Sequence, residues 1–170
     1  MHRVAESSQL NRTVHKLASL PPALRWRLLT WGFGRNVRFV KTAGVEFGEL
    51  SETRALLYLP DRKRVQNHIG TVHAAAVALL AETATGALLG MNVPEGRVPL
   101  LKSMQVEYLK LALGELRAGA TLTAADQARI RAEEKGEIVV PVTVTDARDA
   151  EPVRCRMLWA WVPKRREATP

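Results

Sequence analysis

Between Asn67 and Gly86 the chain reads NHIGTVHAAAVALLAETATG. A polar lead-in containing Asn67, His68, Thr71 and His73 runs into an apolar stretch interrupted by one acid, Glu82. A carboxylate set among alanines, valines and leucines is costly unless it is paired or used. Burial raises such a pKa, which suits Glu82 to work as a general base or a nucleophile. The lead-in offers the complementary half. With Thr71 as the expected N-cap, the first-turn N–H groups lack intrahelical partners and lie at the positive end of the helix dipole. Ala74 and Ala75 leave those groups unshielded, so an ester or thioester carbonyl held there would be polarised as in an oxyanion hole.

The spacing then imposes a condition. His73 and Glu82 are nine positions apart, about 2.5 turns and ~13.5 Å along a helix, on opposite faces. One helix cannot bring both to a single reacting atom. Two copies about a two-fold axis can, each helix start facing the other's glutamate, so this chemistry requires a dimer. The bland alternative makes Glu82 a paired core acid and His73 a helix-start residue. It leaves Asn67 as a turn former and Thr85 as a packing hydroxyl. His68 reads as a solvated or turn-bonding residue, and Glu107, on an alternating strand, as a solvent-facing one.

The elements that must position these groups follow from periodicity. From Gln9 to Trp31 the apolar residues Leu10, Val14, Leu17, Leu24, Leu28 and Trp31 keep helical spacing around Pro21-Pro22, which predicts two short helices covering the domain. A basic amphipathic helix on a membrane, using Arg12, Lys16, Arg25 and Arg27, is the alternative use of this piece. Asn36–Leu50 and Arg54–Leu59 read as strands. The long helix is expected to run from Thr71 to a stop at Gly90. It is apolar nearly all round, as a helix wrapped by other structure must be.

Period two takes over afterwards. Four sets alternate: Leu100 to Tyr108, Leu116 to Leu122, Ile138 to Val144, and Val153 to Trp161, with turns near Gly114, Gly136 and DARDAE. Asp126–Glu134 fits a surface helix or a strand continuation. Two strands, a buried helix and four antiparallel strands make an α+β fold in which a sheet curls around one long helix.

Composition bounds the rest. The chain has 170 residues, 46% of them hydrophobic, and carries a net charge of +8, which fits one domain with an anionic partner. Its Lys and Arg residues are spread along the chain without a helix-turn-helix or zinc pattern, so nucleic acid is not expected. PKRR, at 163–166, is a dense basic cluster. A single Cys155 excludes an internal disulfide, and no CxxC pair marks a metal site. Val72–Met91 is long enough to span a membrane, but a central acid disfavours insertion by roughly 2.5–3.5 kcal/mol. With no apolar signal-peptide core at the start, a cytoplasmic protein without a membrane span is expected.

Asn67, Gly70, Thr71, His73 and Glu82 together resemble the N-x-x-G-T-x-H-G-G-(x)6-D/E pattern of hotdog-fold acyl-CoA thioesterases, in the branch that includes the phenylacetate-pathway enzymes. VEYLKLALGELRAGATL is similar to that family's third and fourth strands, and the likeness extends over roughly 36–162. The resemblance implies a hotdog domain over 35–163, a helical extension over 1–34 and a basic tail over 164–170. It implies that Asn67 helps hold the thioester or the attacking water, that His73 is the loop histidine, and that the Ala74 N–H polarises the carbonyl. Glu82 becomes the catalytic acid contributed by the other subunit, and Thr85 a water-positioning hydroxyl. Gly70, Thr71 and Ala75 would line the substrate.

The implied substrate is an acyl-CoA, with no metal and no resident cofactor, in a homodimer or dimer of dimers. Two departures stand out. Ala74 and Ala75 replace paired glycines, which keeps the N–H but narrows the approach, and Leu111 replaces the proline usual after YL-K/R. Two other functions are weighed against hydrolysis. One is a non-catalytic acyl-CoA-binding or regulatory module. The other is a hotdog hydratase or dehydratase, whose H-F-P-x-x-P-x-x-P-G motif is absent here.

Overall fold

The computed structural model describes residues 7–164. Arg165 and Arg166 of the basic cluster lie outside the described residues. The element order is α1 (Gln9–Leu17), α2 (Pro22–Asn36), α3 (Arg38–Ala43), β1 (Glu46–Leu50), β2 (Arg54–Leu59), a 3₁₀ turn (Lys63–Val65) and α4 (Ala74–Asn92). Then follow β3 (Arg97–Tyr108), β4 (Leu116–Thr121), α5 (Ala124–Ala132), β5 (Gly136–Val140), β6 (Val142–Thr145) and β7 (Val153–Pro163).

All strand pairings are antiparallel, in the order β1-β2-β4-β6-β7-β3, with β5 also paired to β7. The sheet wraps α4, which touches β2, β3, β4, β6 and β7 on one side and α1, α3 and α5 on the others. That surround explains a helix with no polar face. Leu80, Ala81, Ala84, Leu88 and Leu89 are fully buried. The many alanines let the curved sheet approach closely, as close packing requires.

Four local readings change. The stretch expected as a strand from Asn36 is helical at first. Val40 and Ala43 of α3 enter the core, Gly44 ends the helix in the left-handed region at φ 79°, and the strand begins only at Glu46. The N-cap of α4 is His73 rather than Thr71. The helix also runs past Gly90 to Asn92, because the real stop is Val93-Pro94. Gly90 packs instead, since a Cβ there would sit 3.4 Å from Leu10 Cδ2.

The third alternating set is two strands, divided at Pro141. β5 runs beside one end of β7 and β6 meets the other end. Asp126–Glu134 is resolved in favour of helix. Thr123 and Asp126 form a capping box, the Thr123 hydroxyl accepting from Asp126 N at 3.1 Å and the Asp126 carboxylate from Thr123 N at 3.1 Å.

β3 stands at the edge of the sheet, with Leu100, Met104 and Tyr108 exposed. A 12-residue edge strand carrying apolar side chains is a surface prone to pair with another chain.

Candidate functional site

The start of α4 is built by a turn that Asn67 organises. Its Oδ1 accepts from Ile69 N at 3.1 Å and Thr71 N at 3.2 Å, and its Nδ2 donates to the Thr71 hydroxyl at 3.0 Å. Gly70 sits at φ 81°, a conformation that needs glycine. His73 N donates to Val65 O at 2.7 Å, which ties the helix start to the 3₁₀ turn. The exposed His73 ring then caps the helix, with Nδ1 accepting from Ala75 N at 3.0 Å. That bond fixes Nδ1 as the acceptor and leaves Nε2 free toward solvent.

The cap consumes the Ala75 N–H, while Ala76 and Val77 N–H groups turn to His73 O. The Ala74 N–H has no hydrogen-bond partner among the described residues. One donor is thus open at the positive end of a 19-residue helix. Tyr108 completes this end, its hydroxyl donating to Ala74 O at 2.6 Å across from the end of β3. A cleft of about 290 Å³ lies here, bordered by Asn67, Thr71, Ala74, Tyr108 and Leu111. Periodicity marks Tyr108 only as a strand residue, and nothing local signals its hold on the helix start.

Glu82 lies on the opposite side of α4, at a separate cleft of about 280 Å³ with Leu10, Phe33, Val37, Val40 and Trp159 among its walls. The floor is a helical stripe of Glu82, Gly86 and Gly90 at i, i+4 and i+8. Gly86 is required by contact, since a Cβ there would stand 2.6 Å from the Trp159 ring. No cation forms an ion pair with Glu82 among the described residues. Burial pushes its carboxyl above the usual range, and the Thr83 hydroxyl, 3.4 Å from Oε2, opposes that only weakly. Burial of this kind makes a carboxylate hold its proton more tightly.

Thr85 is turned into the core. It is fully buried, donating to Ala81 O at 2.9 Å and accepting from Trp159 Nε1 at 2.9 Å. Its hydroxyl anchors an indole. Glu107 is exposed and pairs with its cross-strand neighbour Arg154 at 2.8 Å. His68 is exposed. One protomer therefore gathers Asn67, Gly70, Thr71, His73, Ala74 and Ala75 around the start of α4, where Asn67, Thr71 and Ala74 line one cleft, and holds Glu82 at another.

A single long helix enclosed by a curled antiparallel sheet defines a hotdog fold. Over residues 25–162 the chain matches DUF4442, a domain of unknown function, and it belongs to that family. Among solved structures, a Pseudomonas aeruginosa protein of unknown function described as a probable thioesterase superposes with a TM-score of 0.71 at 25% identity, over 77% of this chain and 91% of that one. A structural-genomics protein, APC5556, gives 0.71 at 28% identity over 91% and 99%. A Haemophilus influenzae thioesterase gives 0.63 at 16% identity over 77% and 87%, a likeness of fold alone. No curated protein matches the chain. Within the described residues, α4 is the one helix long and apolar enough to cross a membrane, and it is mostly buried inside the fold.

Proposed function

We propose that this protein is an acyl-CoA thioesterase whose sites are shared between two copies. The observation that carries the reading is Glu82: a half-buried carboxylate without a cation partner, in an apolar cleft, on a helix whose start leaves the Ala74 N–H unbonded. Glu82 of one copy takes a proton from water, which attacks the thioester carbonyl. The Ala74 N–H of the other copy stabilises the developing oxyanion; the C–S bond then breaks, and the protonated Glu82 gives its proton to the departing thiolate. The apolar walls beside Glu82 suit an acyl group, and the exposed edge of β3 offers the face through which two copies join.

A second reading has a specific observation in its favour. Asn67 satisfies its own turn and Thr85 holds Trp159, so two polar groups that the thioesterase pattern puts to work are already engaged. A non-catalytic acyl-CoA-binding module needs neither. Thiol release over a panel of acyl-CoAs separates the two. Hydrolysis of at least one acyl-CoA, lowered roughly 10²–10⁴-fold in Glu82→Gln, is the expected result for general-base chemistry. Binding without turnover across the panel selects the module, and unchanged turnover in Glu82→Gln removes Glu82 from the mechanism.

A further inference from the structure

From Ser7 to Val45 the chain carries seven Lys and Arg residues and no Asp or Glu. The fold gathers most of these cations around one helix. In α2, Trp26, Leu29 and Phe33 pack inward on the core. Leu24, Leu28 and Trp31 point the other way and are 46%, 39% and 61% exposed. They recur at i, i+4 and i+7, an arc of about 60° at 100° per residue. Just beyond the helix, Val37 and Phe39 are 39% and 61% exposed. An apolar stripe on the outer face of a surface helix cannot be explained by packing within the protomer.

Cations flank the stripe. Arg27 and Trp31 border a groove of about 630 Å³ that Lys41, Arg62 and Arg64 also line, and Arg35 and Arg38 border its continuation. Arg62 is paired with Glu46 at 2.8 Å. Among the described residues Arg27, Arg35, Arg38, Lys41 and Arg64 have no carboxylate partner. Arg35 lies 4.9 Å over the exposed Trp31 ring, and Gly44 at φ 79° leaves the room that the Arg64 guanidinium occupies. Of the four cations expected to serve an amphipathic helix, Arg12, Lys16, Arg25 and Arg27, two are otherwise engaged. Arg12 pairs with Glu95 at 2.7 Å, and Arg25 donates to the Ala18 and Leu20 carbonyls.

We propose that the α2–α3 face docks this protein peripherally on an anionic phospholipid bilayer. Leu24, Leu28 and Trp31 enter the interface, and Arg27, Arg35, Arg38, Lys41 and Arg64 meet the lipid phosphates. Leucine and tryptophan beside unpaired arginines match the depth profile of that interface, apolar below and anionic above. A second copy is a poor occupant, because a two-fold contact sets the same cations against themselves. Nucleic acid would use the cations and leave the leucines in water. The inference does not depend on the thioesterase reading.

The test is co-sedimentation of the full chain with sucrose-loaded phosphatidylcholine vesicles, with and without phosphatidylglycerol. Binding is expected only with phosphatidylglycerol and should weaken as salt rises. Replacing Arg27, Arg35 and Arg38 together by Gln should lower the partition roughly 100-fold, at about fivefold per cation. Leu28→Ser with Trp31→Ser should lower it roughly tenfold or more. These positions are exposed, and thermal melts confirm that the variants are folded. Equal binding to neutral vesicles overturns the proposal, as does wild-type partition by both folded variants. A duplex DNA that strips the protein from vesicles at equal phosphate concentration assigns the face to nucleic acid. A Trp31-dependent loss of oligomer assigns it to a second copy. Either result also overturns the proposal.

Discussion

If each site joins the α4 start of one copy to Glu82 of the other, two dead proteins must restore one another. Glu82→Ala removes the acid from its cleft. Asn67→Ala removes the three side-chain hydrogen bonds that shape the turn at 67–71 and should loosen the helix start, each bond contributing about 0.5–1.5 kcal/mol. The residues cannot belong to one site within a protomer, because His73 and Glu82 diverge across α4 by ~13.5 Å and half a turn. In a mixed dimer one site carries both defects and the other carries neither. Random refolding of equal amounts makes half the dimers mixed, with one good site in two. Activity should therefore approach about a quarter of wild type in a two-fold dimer. The assay is thiol release from the best acyl-CoA after joint unfolding and refolding, with each parent refolded alone as the inactive control. Subunit exchange is verified with two distinguishable tags. A mixture no more active than its parents, despite proven exchange, refutes the shared site and with it the use of the open Ala74 N–H.

Two further expectations follow from the same residues. Because burial raises the Glu82 pKa in the folded chain, the folded state holds that proton more tightly than the unfolded one. The stability Glu82 contributes is present below its unfolded value near 4.5 and is lost as pH rises through the folded value. Glu82→Gln should therefore raise Tm at pH 7 relative to wild type and lose that advantage toward pH 4. Each tenfold change in proton affinity is about 1.4 kcal/mol, or ~3–6 °C for a chain of this size. A Tm difference independent of pH, read by scanning calorimetry, contradicts the assignment. Thr85→Val should strand the Trp159 N–H and cost about 1–3 kcal/mol, while Thr85→Ser restores it. Below the melting range the valine variant should keep kcat within a few-fold, whereas a loss beyond tenfold in stopped-assay kinetics would return Thr85 to the chemistry.

What the sequence makes legible is what a single element determines. A 19-residue apolar run has no place in a small domain except inside it, so α4 and its enclosure by a sheet can be read from that run alone. The divergence of His73 and Glu82 likewise needs only the helical repeat. α3 fails the same treatment. Val37, Phe39, Val40 and Val45 look like strand, and only docking of Val40 and Ala43 onto the core selects a helix there. Pro141 is visible in the alternation of Ile138–Val144, but alternation cannot say that the halves on either side take different partners.

The site shows the same division more sharply. The type and position of Thr85 suit a water-holding hydroxyl, and its actual use is set by an indole 74 residues later. Tyr108 is a similar case, bonded to a carbonyl 34 residues earlier. Gly86 looks like a helix-weakening residue until Trp159 is seen where its Cβ would be. In each instance the deciding contact joins α4 to β3 or β7, strands that follow it in the chain. Trp159 is thus the common cause: it fixes the Thr85 hydroxyl in the core, demands glycine at 86, and forms one wall of the cleft that keeps Glu82 partly dry. The basicity of the candidate acid is a property of that packing, which no motif around Glu82 encodes.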